Sequence, residues 1–377
     1  MMTWWKRAAL AGGCVVLLAQ AAAAGGGTAF GTYGPPYRPI SMPPNGPGSF
    51  QVTGDCLADG RIVAVTGNSV YLESAPGTGT FAVVAHFDAA QSGGSSDPAF
   101  VRVSPDGSSI AVGLGLGRPI AVVPVGALGT PASPAVLTAG LTRYYHVPHT
   151  EAAWADTTRL GITFGVFGSP SAVSLLDVTS PVGNPLNPTV IDGIGGASGG
   201  IAFDGAGRLF TGNGYDLGPG GSTTGTIRAF PRSAWDGVLT PTPFETAGIL
   251  VGEVLSAASL LFDGEWNLVV GGGDYDAGDT GYLGVVGAPA LGAAMSGLGP
   301  IDSTDPAQLL RLAPRTDPFA YYGGAYNRAT GELYATHGDF LTGANTWYAT
   351  VPTPGAAGTA LLGAAGVALT RRRRRCA

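Results

Sequence analysis

The chain has 377 residues, of which 45% are hydrophobic and only 12% charged, with 63 glycines and 29 prolines. So much apolar surface with so little charge argues against a disordered chain and suits short strands joined by many tight turns. The formal net charge is −6, but Lys6, Arg7 and the five arginines Arg371–Arg375 supply seven of the 19 basic groups, leaving 25 acids against 12 arginines and no lysine in between. That acidic middle offers neither phosphate neutralisation nor a basic patch, which argues against nucleic acid and anionic membrane surfaces and favours a cation or a neutral ligand such as a sugar.

Residues 1–24 open with Lys6 and Arg7, continue as an apolar run from Ala8 to Ala19, and end on Ala22-Ala23-Ala24. A positive start, an apolar segment and small residues at a cleavage point form the pattern of a secretory signal peptide, and the run is short for a membrane helix. Cleavage by signal peptidase near Ala24 is the expectation, with export as its consequence. Cys56 is the one cysteine between the two ends, so no internal disulfide is expected there and a small buried hydrophobe is its simplest role.

Residues 25–351 repeat. Six segments share an apolar stretch, a polar turn and an apolar strand: CLADGRIVAVTG, RVSPDGSSIAVG, AAWADTTRLGITFG, IAFDGAGRLFTGNG, LLFDGEWNLVVGGG and AYNRATGELYATHG. Their key apolar residues are Ile62, Ile110, Leu160, Leu209, Leu268 and Leu333, spaced by 48, 50, 49, 59 and 65 residues. In the turns, Pro105 presets φ and glycines such as Gly107, Gly205 and Gly264 supply the turn chemistry. The strands that follow are almost continuously apolar, as strands buried on both faces are. A third strand follows in each unit (SVYLES, PIAVVPV, AVSLLDV, GTIRAF, GYLGVV, TWYATV) and a fourth in most (TFAVVAHF, PTVIDG, AQLLRLAP).

Four antiparallel strands per unit is propeller geometry. Through the D-G-x-[IL]-x-V element, the units resemble the broad group of YVTN, NHL and WD-repeat-like propellers. That resemblance implies an all-β fold, a β-propeller, with no particular activity. Six blades are expected, with seven blades or paired β-sandwiches as alternatives. The sixth unit runs out after Trp347, and residues 28–42 are available to supply its missing strand and so remove an unpaired edge.

The stretches between second and third strands emerge on one face. In the last three units they read as GNGYDLGPGG, GGGDYDAGDTG and THGDFLTGAN, and gather Asp216, Asp274, Asp276, Asp279 and Asp339. Hard cations take carboxylate and carbonyl oxygens from such loops, so Asp274, Asp276 and Asp279 are candidate calcium ligands, with plain Asx-turns as the alternative. Tyr215, Tyr275 and Phe340 interleave with these acids and offer rings for stacking on a sugar. His146 and His149 flank Pro148, which forbids the helix a zinc-protease pair requires, and no Gly-x-Ser-x-Gly element appears. No catalytic residue is assigned.

Residues 352–377 comprise Pro352-Thr353-Pro354, an uncharged apolar run from Gly355 to Leu369, and Arg371, Arg372, Arg373, Arg374 and Arg375. An apolar run followed by an arginine cluster enters the bilayer with the arginines left on the cytoplasmic side. This order resembles the PEP-CTERM sorting signal of bacterial surface proteins, with Thr353 where that family usually has glutamate. The resemblance implies an exosortase-type processing enzyme, transient anchoring in the inner membrane, and release to the cell surface or beyond. Together these readings lead to an exported, non-catalytic propeller that binds a polymer, glycan or protein. The alternative is a calcium-dependent hydrolase of the lactonase type.

Overall fold

A computed structural model describes residues 33–44, 52–94, 97–115, 117–165, 170–195, 197–215, 225–254, 256–272, 282–305, 307–313, 321–339 and 344–352. Nearly all of them belong to one compact unit, Pro35–Val351. The strands form six sheets, numbered here in chain order by their first strands: Thr53–Cys56, Phe100–Val103, Glu151–Trp154, Ala197–Phe203, Ser259–Phe262 and Tyr321–Asn327. Neighbouring strands are antiparallel in the four-stranded core of each sheet for which the register is resolved. Two short strands, Ala135–Leu137 and Thr242–Pro243, add a parallel fifth member to the first and third sheets.

The six key apolar residues fall in register. Each lies at the first or second position of its sheet's second strand and pairs with the first strand: Ile62 with Cys56, Ile110 with Val103, Leu160 with Trp154, Leu209 with Phe203, Leu268 with Phe262 and Leu333 with Tyr326. All six are at most 1% exposed. Side chains along these strands alternate between two cores. Val63 and Val65 join Val101 and Val112 between the first and second sheets, whereas Ile62 and Ala64 join Ala325, Tyr334 and Trp347 between the sixth and the first. Both faces of a strand are therefore covered, which is why the second strands are apolar without alternation.

The first strand of each sheet packs against the first strands of the sheets before and after it, and that of the sixth returns to that of the first. The fold is a β-propeller. Five sheets are self-contained blades whose four core strands come from one stretch of chain. The sixth sheet has only three strands of its own, and its fourth is Tyr33–Ile40, which lies beside Ala344–Pro352.

The two long spacings hold insertions instead of a further unit. Between third and fourth strands, the fourth sheet inserts a 3-10 turn at Arg232–Ala234 and a short helix at Phe244–Ala247; the fifth inserts the helix Ala288–Met295, which buries Leu291 and Ala294. Among the described residues no seventh sheet is present.

A second correction concerns the turns. The side-chain carboxylates of Asp106, Asp156, Asp204 and Asp263 each accept backbone N–H groups two to four residues on, so the turn is closed mainly by an Asx-type bond. Gly107 and Gly207 do take positive φ (71° and 74°), but Gly205 and Gly264 do not; in the fifth turn Trp266 adopts φ 64°.

Candidate functional site

Three charged side chains stand on the first strands of the first three sheets, where the equivalent strands of the other sheets carry none: Asp55, Arg102 and Glu151. The innermost strands face the axis of the ring, so these charges meet. The guanidinium of Arg102 donates to Glu151 Oε1 at 2.8 Å, to the Ala152 carbonyl at 2.8 Å, to its own neighbour Val101 at 2.9 Å and, across the ring, to Gly324 of the sixth sheet at 3.4 Å. Arg102 is 9% exposed and Glu151 7%.

The same knot is tied from the other side. Asp55, half-buried, accepts the backbone N–H of Val103 through Oδ2 and that of Cys56 through Oδ1, at 2.8 and 2.7 Å. The indole N–H of Trp154 donates to the Arg102 carbonyl at 2.9 Å. Four of the six sheets are joined through this one cluster.

Burial is the leading influence on both acids and lifts the carboxyls of Asp55 and Glu151 above their ordinary range. The positive charge of Arg102 and the backbone N–H donors pull the other way in each case. The arginine is thus committed to holding a desolvated carboxylate, and little hydrogen-bonding capacity of the guanidinium is left for a ligand.

Near this cluster, His149 is 3% exposed, meets Phe100 edge-on at 5.5 Å between centroids, and approaches the Val147 carbonyl through Nδ1 at 2.9 Å. Its Nε2 is buried without a hydrogen-bond partner. Desolvation holds its pKa below the ordinary imidazole range, against the bond to Val147. The native state then binds fewer protons than the unfolded chain between that depressed value and about 6.5. Stability from this site is present above about pH 6.5 and is lost as pH falls towards the folded-state pKa. His149→Phe is expected to flatten the pH dependence of urea unfolding below about pH 6.5, with His146, which is exposed, as the control. An unchanged slope in the variant would assign the acid sensitivity elsewhere.

Of the sequence-derived candidates, Asp216, Asp274, Tyr275, Asp276, Asp279 and Phe340 lie outside the described residues, as do residues 1–24, Thr353, Pro354 and the arginine run. Tyr215 and Asp339 belong to strands: Tyr215 ends Leu209–Tyr215, and Asp339 ends Glu332–Asp339, paired with Ala344. The sixth of the second-to-third connections is therefore a short one instead of the long loop expected. Cys56 is a free thiol, and burial with the nearby acids Asp55, Glu73 and Glu332 pushes its pKa up, which keeps it unreactive. Among the described residues no cluster of three metal-ligating side chains occurs, and no helix is long and apolar enough to cross a membrane.

The channel cluster was missed by sequence reasoning although its signal was present. Asp55 and Arg102 each sit one residue before the partner of a key apolar residue, where the other four units carry Ala153, Ala202, Leu261 and Ala325. A charge at a position that is otherwise apolar marks a buried partner.

No family model matches the chain, and no curated protein does. Among solved structures it is similar to a gluconolactonase from Xanthomonas campestris (13% identity, TM-score 0.46, covering 80% of this chain and 86% of that one). It is also similar to the β-propeller domain of Cps50 (Swd1) from Myceliophteria thermophila (10% identity, TM-score 0.43, covering 83% and 99%). A streptogramin B lyase gives 9% identity and a TM-score of 0.43, covering 84% and 97%. With TM-scores below 0.5, none of these transfers an activity to this chain.

Proposed function

We propose that the chain is an exported, non-catalytic β-propeller that binds a polymer, glycan or protein partner, with its six sheets as six blades and Tyr33–Ile40 as the closing strand. The observation that carries the reading is the committed state of the channel charges: the Arg102 guanidinium bonds Glu151 and three carbonyls, a clamp between blades. A general acid or base needs a proton within reach of a substrate, and Glu151 already accepts from Arg102 and from the Ala152 N–H. The cyclic packing of first strands supports the blade count. Removal of residues 1–24 by signal peptidase, processing of the 352–377 tail by an exosortase-type enzyme, and calcium at Asp274, Asp276 and Asp279 belong to this proposal.

The test sets binding against turnover. The full chain is expected to be retarded in native gels cast with a soluble neutral polysaccharide. Hydrolysis of sugar lactones should stay at the buffer rate with or without millimolar calcium. Calcium-dependent turnover that disappears in Asp274→Asn would favour the lactonase-type hydrolase.

A further inference from the structure

We infer that Trp266 is the stacking platform of a neutral-glycan site on the face of the propeller that carries the first-to-second-strand turns. This rests on the binding reading above, and it places a site at the end of the ring opposite the one where second strands run into third strands. Successive hairpins of an antiparallel sheet alternate between its two ends, so the two sets of connections cannot share a face.

Trp266 departs from the pattern of its own repeat. The turn Asp263-Gly264-Glu265-Trp266-Asn267 aligns with Asp204-Gly205-Ala206-Gly207-Arg208, and the residue in the left-handed region is Gly207 in one and Trp266 in the other. Among the described residues, Trp266 is the one non-glycine with positive φ, and a bulky side chain there is strained. Yet the indole has neighbours. It lies directly over the backbone of Gly205 in the preceding blade, where a Cβ would sit only 2.7 Å from the ring, and it meets Phe262 at 5.9 Å between centroids. Despite these contacts, Trp266 stays 47% exposed. A strained and exposed aromatic is poorly explained by stability, since the glycine that four of the other five turns use (Gly60, Gly107, Gly207 and Gly331) would fit without strain.

The surroundings select the ligand. The Tyr326 hydroxyl lies against Gly264, so a second aromatic with a polar tip stands beside the turn. Glu265, exposed and adjacent in sequence, adds a carboxylate. One indole face matches the C–H face of one pyranose ring, and the hydroxyl and carboxylate groups carried beside the same turn suit sugar hydroxyls. A single ring is too small for the core of a protein interface, which needs several buried anchors. The carboxylate beside it, in a chain segment with no lysine, disfavours an anionic polymer.

The experiment is affinity electrophoresis of the full chain in native gels containing dextran, a soluble β-1,3-glucan or hydroxyethyl cellulose, with Trp266→Gly and Trp266→Phe alongside. The wild type should be retarded by at least one of these, Trp266→Gly should lose retardation at least tenfold, and Trp266→Phe should keep an intermediate part of it. Trp266→Gly should melt near the wild-type temperature, since glycine suits the backbone there, so its loss of binding would report the platform alone. Retardation unchanged in Trp266→Gly would overturn this site and leave the glycan reading standing. A wild type retarded by none of the three would overturn both.

Discussion

Arg102→Ala is expected to destabilise the protein by about 3–5 kcal/mol in urea unfolding, because it leaves a buried carboxylate uncompensated. The arginine is 9% exposed and its removal strands Glu151 and the carbonyls of Ala152 and Gly324 together. The pH dependence gives a second readout. Both Asp55 and Glu151 have folded-state pKa values raised by burial, so the native state holds its protons longer than the unfolded chain does. Their contribution is fully present below the ordinary carboxylate range and is lost as pH rises through the raised values. Removing Arg102 takes away the opposing positive charge, so the deficit of Arg102→Ala should be larger at pH 8 than at pH 5. The double variant Arg102→Met with Glu151→Gln should recover at least half of the loss, since it removes both charges and keeps most of the volume. A single variant within about 1 kcal/mol of wild type at pH 8 would mean that the cluster is solvated and holds nothing together.

Much of the fold was legible because two physical signals agreed. The polar turns announced each hairpin, and the doubly buried second strands announced themselves by unbroken apolar runs. Residues 28–42 were identified as the source of the missing strand by counting alone, and Tyr33–Ile40 does lie beside the strand that carries Trp347. What could not be read were the insertions. The helix Ala288–Met295 lies in a stretch of alanine and glycine with no clear apolar stripe, and its only buried residues are Leu291 and Ala294. Packing against the fourth sheet's last strand, not helix periodicity, holds it.

The sites were less legible than the fold. Acidic loops suggest cations, whereas the charged cluster sits on the innermost strands, where a carboxylate or guanidinium is hard to expect. Arg102 stands inside the repeat segment RVSPDGSSIAVG, where the apolar pattern hides a single charge. Trp266 likewise stood inside LLFDGEWNLVVGGG, and only the backbone angle separates it from an ordinary turn residue. A comparison of equivalent positions across the six units, made for charge and bulk instead of hydrophobicity, finds both.

The seam between the sixth and first sheets is the place where the ring is joined by non-contiguous chain, and Trp347 is its main fastener. The side chain is 1% exposed, packs with Val52, Ile62, Ala64 and Tyr334, and donates its indole N–H to the Val52 carbonyl at 3.1 Å. Asn327 adds a second tie, donating to the Gly60 carbonyl at 2.8 Å from a fully buried position. Trp347→Ala is expected to cost about 3–5 kcal/mol, the range for truncating a buried aromatic. Trp347→Phe keeps most of the packing and should cost about 1–3 kcal/mol, because the Val52 carbonyl loses its donor in a buried place. If the seam opens as a unit, Trp347→Phe and Asn327→Ala should be less than additive, since the first change already loosens what the second would break. The unfolding transition should remain single and move to lower urea, because opening one seam exposes the faces of two blades whose far sides are shared with their neighbours. A Trp347→Ala variant that splits into two transitions, with the second and third sheets melting at the wild-type midpoint, would show that the blades stand independently and that closure of the ring is not what stabilises them.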